Sequence, residues 1–386
     1  MNRLLFVANG HGENAIAARI AAALAAAAAR PLRLELLPLI GDGMGFGAAP
    51  LALVGPRKLL PSGGLVAMGN VVAFGRDVLA GFPALFAAQL AFLGRARGRY
   101  AAVIAVGDAY ALGLALLAAA RPVFVGTAKS AFVAPYGPFE RMLLRRAANV
   151  YVRDVPTARE LIRHGTRAAA PGNVIADLAG EDQPARAGAW LGILPGSRRN
   201  AYADGLRLVG VAQALAARRP TLGGLLSIAP TLDAERFAQL LAAAGWTLDL
   251  RANGEPVAFE GRFGPARLVG WRGPLGPLLA ASTVVLGQAG TANEQAAARG
   301  LPVVALEGTE GRREDWYRMR QRRLLGDALL LLPAEAGDAA AVLDGLLGDP
   351  ERLAAMGAAG RKRMGPSGGA QTIARGILSD AGLEQR

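Results

Sequence analysis

Cysteine is absent from the 386 residues. Its absence excludes a disulfide framework, a thiolate zinc site, an iron–sulfur cluster and a cysteine nucleophile. Histidine occurs only at His11 and His164, too few for a histidine-rich metal centre. Lysine is almost missing as well: of 43 basic residues only Lys58, Lys129 and Lys362 are not arginine. We read that imbalance, beside the alanine-rich helices, as the mark of a GC-rich genome. Aromatic residues make up 6% of the chain and the arginines are scattered, so no stacking platform for nucleic acid is visible. The formal charge of +13 still favours anionic ligands or an anionic membrane surface. Long apolar runs are missing too. Val78–Gly94, between Asp77 and Arg95, contains Gly81, Pro83 and Gln89 and falls short of the ~20 residues of a membrane span, so it reads as a buried or interfacial helix. The opening MNRLLFVANGHGEN turns polar by Asn9, too early for a signal peptide. The expected compartment is the cytoplasm, with the inner face of the membrane as a docking surface.

What is present is a large apolar fraction, 52% against 19% charged, in a chain long enough for two domains at about 150 residues each. Short apolar runs alternate with Ala/Leu-rich helical stretches, the pattern of parallel α/β layers. In the first half strands are expected at Arg3–Ala8, Arg33–Leu37, Leu53–Gly55, Ala102–Val106, Val123–Val125 and Val150–Val152. Helices are expected at Ala15–Ala29, Tyr110–Ala120, Pro135–Ala148 and Val155–Arg163. The polar segment Gly180–Gly188 interrupts this pattern, and the second half restarts it from Trp190–Leu194. The division is therefore a first domain over 1–180, a linker over 181–188, a second domain over 189–364, and a C-terminal helix over 365–386 packing back on the first domain. The fold class is α/β, two Rossmann-like domains facing a cleft, with ligands at the carboxyl ends of the strands.

Four strand-to-helix turns carry the candidate chemistry. Asn9-Gly10-His11-Gly12-Glu13-Asn14-Ala15 fits G-x-G-x-x-A, but a dinucleotide fingerprint wants an acid at the end of the second strand, and Glu35 lies inside it. Alternatively, Gly10 and Gly12 let a substrate approach the backbone while His11 and Glu13 project toward it. The plainest use is a tight turn with Glu13 complementing the helix dipole. Val106-Gly107-Asp108-Ala109 places a carboxylate at a strand end, suited either to a general base or to a helix N-cap. Leu194-Pro195-Gly196-Ser197-Arg198 offers backbone N–H groups from Gly196, the Ser197 donor and the Arg198 fork to phosphate oxygens. Gly287-Gln288-Ala289-Gly290-Thr291-Ala292-Asn293-Glu294-Gln295 opens another helix, whose N-terminus suits a diphosphate, with Glu294 or Gln295 one turn in for ribose hydroxyls. The competing reading there is a capping box of Thr291 and Glu294. Gly126-Thr127-Ala128-Lys129-Ser130 fails as a P-loop because Ala128 stands where glycine must be. Gly365-Pro366-Ser367-Gly368-Gly369 follows a basic helix, where a nucleophile elbow follows a strand. With no D-x-D pair either, no metal site and no cofactor are expected.

The L-P-G-S-R at Leu194–Arg198, the G-T-A and Gly-x-Pro of Gly290–Pro302, and Asp154, Thr157, Gly172, Asn173 and Asp177 within Arg153–Asp177 together resemble the two-domain GT-B glycosyltransferases, above all lipid-A-disaccharide synthase. The opening Asn-Gly-His-Gly-Glu and the Pro-Ser-Gly-Gly at 61–64 resemble the synthase-related branch. The resemblance implies an inverting, metal-independent transfer from a UDP-sugar, UDP-N-acetylglucosamine or a derivative, to a lipid-linked or glycolipid acceptor. It puts the nucleotide on the second domain, its diphosphate at Gly196, Ser197, Arg198, Gly290, Thr291 and Ala292, and the acceptor on the first; Gln288 in the same turn is a further candidate substrate contact. Asp108 becomes the first candidate base, His11 the second, with Glu13 beside them. Residues 65–93 would touch acyl chains or the membrane surface, where plain core helices are the alternative. One departure concerns the acid of the G-T-A helix: the synthases' glutamate position holds Gln295, and the acid sits one earlier at Glu294. Three other functions share these residues: a sugar-nucleotide epimerase, a nicotinamide oxidoreductase, and a sugar-nucleotide-binding protein without catalysis.

Overall fold

The computed structural model describes residues 1–41, 43, 50–60, 71–178, 186–197, 200–251, 255–308 and 312–384. Arg198, the 61–64 segment and linker residues 181–185 lie outside them. The chain divides into two compact units, Met1–Asp177 with Ser367–Arg386, and Leu178–Pro366.

The first unit runs β1 (Asn2–Ala8), α1 (His11–Ala27), β2 (Leu32–Pro38), β3 (Ala52–Leu53), α2 (Val71–Leu79), α3 (Phe82–Ala96), β4 (Ala102–Gly107), α4 (Ala109–Ala118), β5 (Val123–Gly126), α5 (Pro138–Leu144), β6 (Val150–Val152), α6 (Val155–Arg163) and α7 (Val174–Asp177). Its strands are parallel in the order β3-β2-β1-β4-β5-β6. This is the Rossmann order, and it reverses direction between β1 and β4. The strands are near-continuous apolar runs because helices cover both faces of a parallel sheet. Leu5, Val7, Val103, Ala105, Phe124 and Val152 form one face of the core with Leu93, Leu112 and Leu161. The helix expected over 135–148 is shorter, because Tyr136 is buried at 2% exposure ahead of it and Gly137 is its N-cap. On α3 the buried positions Leu85, Gln89, Leu93 and Ala96 form one stripe at helical spacing. On α2 four described apolar side chains face solvent: Val72 is 66% and Leu79 89% exposed, with Phe74 and Val78 exposed as well. The core-helix alternative therefore holds for α3 and fails for these four positions of α2, while residues 65–70 of the expected 65–93 surface lie outside the described residues.

The second unit runs β7 (Trp190–Leu194), α8 (Ala201–Ala216), β8 (Gly223–Ser227), α9 (Ala234–Ala243), β9 (Thr247–Leu250), β10 (Val257–Phe263), β11 (Ala266–Trp271), α10 (Leu275–Ala281), β12 (Ser282–Gly287), α11 (Thr291–Arg299), β13 (Val303–Leu306), α12 (Arg312–Leu325), β14 (Leu329–Leu332), α13 (Ala336–Leu347) and α14 (Pro350–Met364). Its sheet order is β14-β13-β12-β7-β8-β11-β10-β9. The six strands from β14 to β11 are parallel and repeat the Rossmann order, with the switch between β7 and β12. The antiparallel β9 and β10 extend the edge. These two strands are not anticipated in the sequence, although Val257, Phe259, Gly261 and Phe263 alternate ahead of the Gly264-Pro265 turn that joins β10 to β11.

The chain then returns to the first unit with α15 (Gly369–Asp380), which packs on α1. Asp177 fixes that return, its carboxylate accepting from Gly368 N at 2.6 Å and Ala370 N at 2.7 Å. Asp154 caps α6 by accepting from Thr157 N at 2.8 Å, and Asn173 Oδ1 accepts from Ile175 N at 3.1 Å. Within the stretch 153–177, these motif residues set turns and helix ends.

Candidate active site

At the first switch point β1 delivers Asn9 and Gly10, and β4 delivers Asp108. The Asp108 backbone is extended, and Oδ1 caps α4 by accepting from Tyr110 N at 3.1 Å and Ala111 N at 3.0 Å. Oδ2 accepts from Asn9 Nδ2 at 2.8 Å. Capping and proton transfer do not exclude each other here, because the same three bonds hold a half-buried carboxylate rigidly at the sheet edge. Burial pushes the Tyr110 phenol up to about 12, the Asp108 charge adding to it, so the phenol beside Asp108 is protonated near neutral pH.

Glu13 reaches the same edge from the first turn of α1. A Cβ on Gly10 would lie 2.6 Å from Glu13 Oε2, and one on Gly107 2.9 Å from Glu13 Cγ. Both glycines also have left-handed φ, +133° and +122°, so glycine is required twice over. His11 begins α1 and Gly12 follows it; the His11 side chain lies outside the described structure.

Several polar atoms of the first unit are buried without a hydrogen-bond partner among the described residues: Asn9 Oδ1, Asn14 Oδ1 and Nδ2, Thr127 Oγ1 and the Tyr136 hydroxyl. Buried polar groups are normally paired. Thr127 follows β5, and its N–H donates to Gly107 O at 3.1 Å, so Asn9, Asp108 and Thr127 stand at the carboxyl ends of three adjacent strands. In the sequence Asn14 stands in the Gly10 turn and Thr127 in the failed P-loop match, neither with an assigned role, and nothing there singles out Tyr136.

At the second switch point the loop after β12 is bound through two N–H groups to the last carbonyl of β7. Gln288 N and Ala289 N donate to Leu194 O at 2.9 and 3.1 Å. Gly196 has φ +103°, and a Cβ there would sit 3.7 Å from Ala289 Cα. Ser197 is exposed beside it. The structure thus brings Gly196 against the turn that opens α11, while the Ser197 carbonyl accepts from Thr231 Oγ1 at 3.1 Å. The N-cap of α11 is Gly290, which has no side chain to offer, and Thr291 is already helical. The competing reading, a capping box of Thr291 and Glu294, is not what the backbone forms: Thr291 lies one position past the N-cap. The N–H groups of Thr291, Ala292 and Asn293 belong to the first turn and have no intrahelical acceptor, which makes the helix end a ready anion cradle. Gln295 is 8% exposed with Oε1 unpartnered, whereas Glu294 is half-buried. The helix phase turns the amide inward and leaves the acid the more accessible of the two.

Glu35 has no role at either edge. It is fully buried and held by Arg3 at 2.9 Å, Arg33 at 2.6 Å and the Tyr100 hydroxyl at 2.6 Å. Burial works against its charge, but the bonds from Tyr100 and Arg3 and the charges of Arg3 and Arg33 outweigh it and hold the carboxyl below its ordinary range. Committed in this way, it cannot serve as the ribose acid of a dinucleotide site. Among the described residues no group of three or more His, Asp or Glu side chains is arranged to hold a metal ion. No described helix is long and apolar enough to cross a membrane.

No protein-family model matches the chain, and no curated protein matches its sequence. Solved structures do. The UDP-GlcNAc 2-epimerase of Neisseria meningitidis bound to UDP-GlcNAc is 15% identical, with a TM-score of 0.55 over 98% of this chain and 99% of that one. Acinetobacter baumannii MurG is 15% identical, with a TM-score of 0.53 over 98% and 100%. UGT2 of Phytolacca americana, complexed with UDP-2fluoro-glucose and pterostilbene, is 12% identical, with a TM-score of 0.56 over 99% and 100%. Two Rossmann-like domains and these end-to-end likenesses give the chain the GT-B fold.

Proposed function

We propose that the protein is an inverting, metal-independent glycosyltransferase that moves a sugar from a UDP-sugar to a lipid-linked or glycolipid acceptor, in the manner of lipid-A-disaccharide synthase. The observation that carries the reading is the second switch point. There the turn after β12 is tied to Leu194 O at the end of β7, the Gly196 turn packs against it, and a helix end without a side-chain cap presents Thr291, Ala292 and Asn293 N–H groups to an anion. A nucleoside diphosphate is the ligand such a site takes, with Arg198 as its cation and Glu294 on the ribose. The negative charge that builds on the departing UDP would be stabilised by these fixed dipoles. On the first unit, Asp108 would take the proton from the acceptor hydroxyl, held in place by its three hydrogen bonds, with Glu13 as the second carboxylate and His11 as a further base. The unpaired Asn9, Asn14, Thr127 and Tyr136 atoms suit a ligand rich in hydroxyl groups. The exposed Val72, Phe74, Val78 and Leu79 of α2, with Arg76 among them, support an acceptor that carries acyl chains and contact with the inner face of a membrane.

A sugar-nucleotide 2-epimerase is the second reading, favoured by the Neisseria meningitidis neighbour and needing the same nucleotide site without an acceptor. Titration with UDP and UDP-N-acetylglucosamine, followed by product analysis with and without a glycolipid acceptor, separates the two. UDP released only when acceptor is present supports the transferase. An epimer formed from the nucleotide sugar alone replaces it with the epimerase. Nucleotide binding with neither product leaves a binding protein, and no nucleotide binding removes all three.

A further inference from the structure

The turn Gly287–Gly290 is held by more than its own backbone. Its three consecutive carbonyls each accept a side-chain N–H: Gly287 O from Asn293 Nδ2 at 3.0 Å, Gln288 O from Arg318 Nη1 at 3.5 Å, and Ala289 O from Gln321 Nε2 at 2.6 Å. Two of the three donors come from α12, a helix far along the chain. Gln321 is 5% exposed, and among the described residues its Oε1 has no partner, so the bond to Ala289 O is the one side-chain hydrogen bond of this buried amide among them. Tyr317, one turn earlier on α12, brings its hydroxyl to 3.4 Å from where a Cβ on Gly290 would stand.

The consequence follows from peptide geometry. The Ala289–Gly290 peptide is trans and planar, so its N–H points opposite to its C=O. Fixing the Ala289 carbonyl toward Gln321 aims the Gly290 N–H away from α12. The preceding two peptides are pinned at both ends, their N–H groups on Leu194 O and their carbonyls on Asn293 and Arg318. The peptide before Gly290 has its carbonyl pinned by Gln321, and among the described residues its N–H has no acceptor. It directly precedes the open N–H groups of Thr291, Ala292 and Asn293.

We propose that Gln321 is a positioning residue for diphosphate binding: by holding the Ala289 carbonyl it turns the Gly290 N–H toward the phosphate, adding a fourth backbone donor to those of α11. This rests on the nucleotide reading given above. Gln321 acts through the backbone and need not touch the ligand. Its effect is specific to the phosphates, because the nucleoside makes no use of that peptide's direction.

The experiment compares wild type with Gln321→Met, which keeps length and loses the donor, and with Gln321→Glu. Each is titrated calorimetrically with UDP and with millimolar uridine, and thermal unfolding is recorded without ligand. Gln321→Met is expected to weaken UDP about tenfold while uridine stays within twofold. Gln321→Glu is expected to bind as weakly as Gln321→Met at pH 8 and to recover UDP affinity relative to it as the pH is lowered to about 4.5, where an ordinary glutamate carboxyl is half protonated and again donates to Ala289 O. UDP affinity equal to wild type in Gln321→Met overturns the proposal. So does a parallel loss of UDP and uridine with a lowered melting temperature, which assigns Gln321 to stability alone. Should wild type itself not bind UDP, the nucleotide reading falls first and the proposal with it.

Discussion

Replacing Asp108 separates its two duties. In Asp108→Ala, α4 loses its N-cap, a loss of about 0.5–2 kcal/mol. The Asn9 amide at the same time loses the acceptor it holds at 2.8 Å, and a half-buried donor left without a partner costs about 1–2 kcal/mol more. Together these come to about 1.5–4 kcal/mol. For a unit of roughly 200 residues that is a fall in melting temperature of about 3–16 °C, at 2–4 °C per kcal/mol. Asp108→Asn should behave quite differently. Its Oδ1 still accepts from Tyr110 N and Ala111 N, and asparagine is as good an N-cap as aspartate. Its new amide group would face the Asn9 amide, but Asn9 Oδ1 is unpartnered, so turning the Asn9 amide over restores a donor–acceptor pair. Stability should therefore stay within about 1 kcal/mol of wild type by the same accounting. Turnover should not survive, because an amide accepts no proton at neutral pH. A loss of 10²–10⁴-fold is the range for a missing general base. The assay is thermal unfolding beside sugar transfer from UDP-N-acetylglucosamine. Asp108→Asn that is both stable and fully active would refute the base assignment, leave Asp108 a cap, and pass the role to Glu13, for which Glu13→Gln is the direct test.

Four further outcomes are expected. Acid titration should destabilise the first unit through Glu35: its carboxyl titrates below the ordinary range in the fold, so its contribution is present above the unfolded-state value near 4.5 and is lost as the pH falls through the folded value. In Glu35→Gln that part of the acid-induced loss, read as melting temperature between pH 6 and 3, should be absent, and the variant should be about 2 kcal/mol less stable at pH 7. Gly196→Ala forces a side chain onto φ +103° and sets a methyl 3.7 Å from Ala289 Cα, so UDP affinity measured by calorimetry should fall by about tenfold or more. Asp177→Ala leaves Gly368 N and Ala370 N without their acceptor and should loosen α15 from α1 by about 1–2 kcal/mol, seen as faster proteolysis near 366 with UDP binding intact. Val72→Asp with Leu79→Asp should abolish co-sedimentation with anionic phospholipid vesicles and leave UDP affinity unchanged; vesicle binding equal to wild type would remove the membrane part of the proposal.

Most of the strands and the four turns were legible in the sequence because each is a local statement. A short apolar run between polar or turn residues reads as a buried parallel strand whatever it later pairs with, as at Trp190–Leu194 and Val150–Val152. A glycine turn between strand and helix identifies a switch-point candidate by itself, and so Gly10, Asp108, Gly196 and Gly290 could be named in advance. The β9–β10 edge was not legible, because Thr247–Leu250 is short and largely exposed and shows no apolar run to set it apart from a loop. The true N-cap of α11 was also hidden: sequence preference favours Thr291, whereas the backbone makes Gly290 the cap.

The sequence by itself determined the α/β alternation, the two glycine-rich halves and the absence of thiol chemistry. Only tertiary structure decided which distant side chains meet. Glu35 is taken out of any ligand role by Arg3 on β1 and Tyr100 before β4, and Gln321 reaches Ala289 across 32 positions. The physical reason is range. Backbone propensity and hydrophobic periodicity act over a few residues and leave their mark in the local pattern. Hydrogen bonds between side chains on different elements depend on which strands lie side by side, and the order β3-β2-β1-β4-β5-β6 is fixed only when the whole sheet closes.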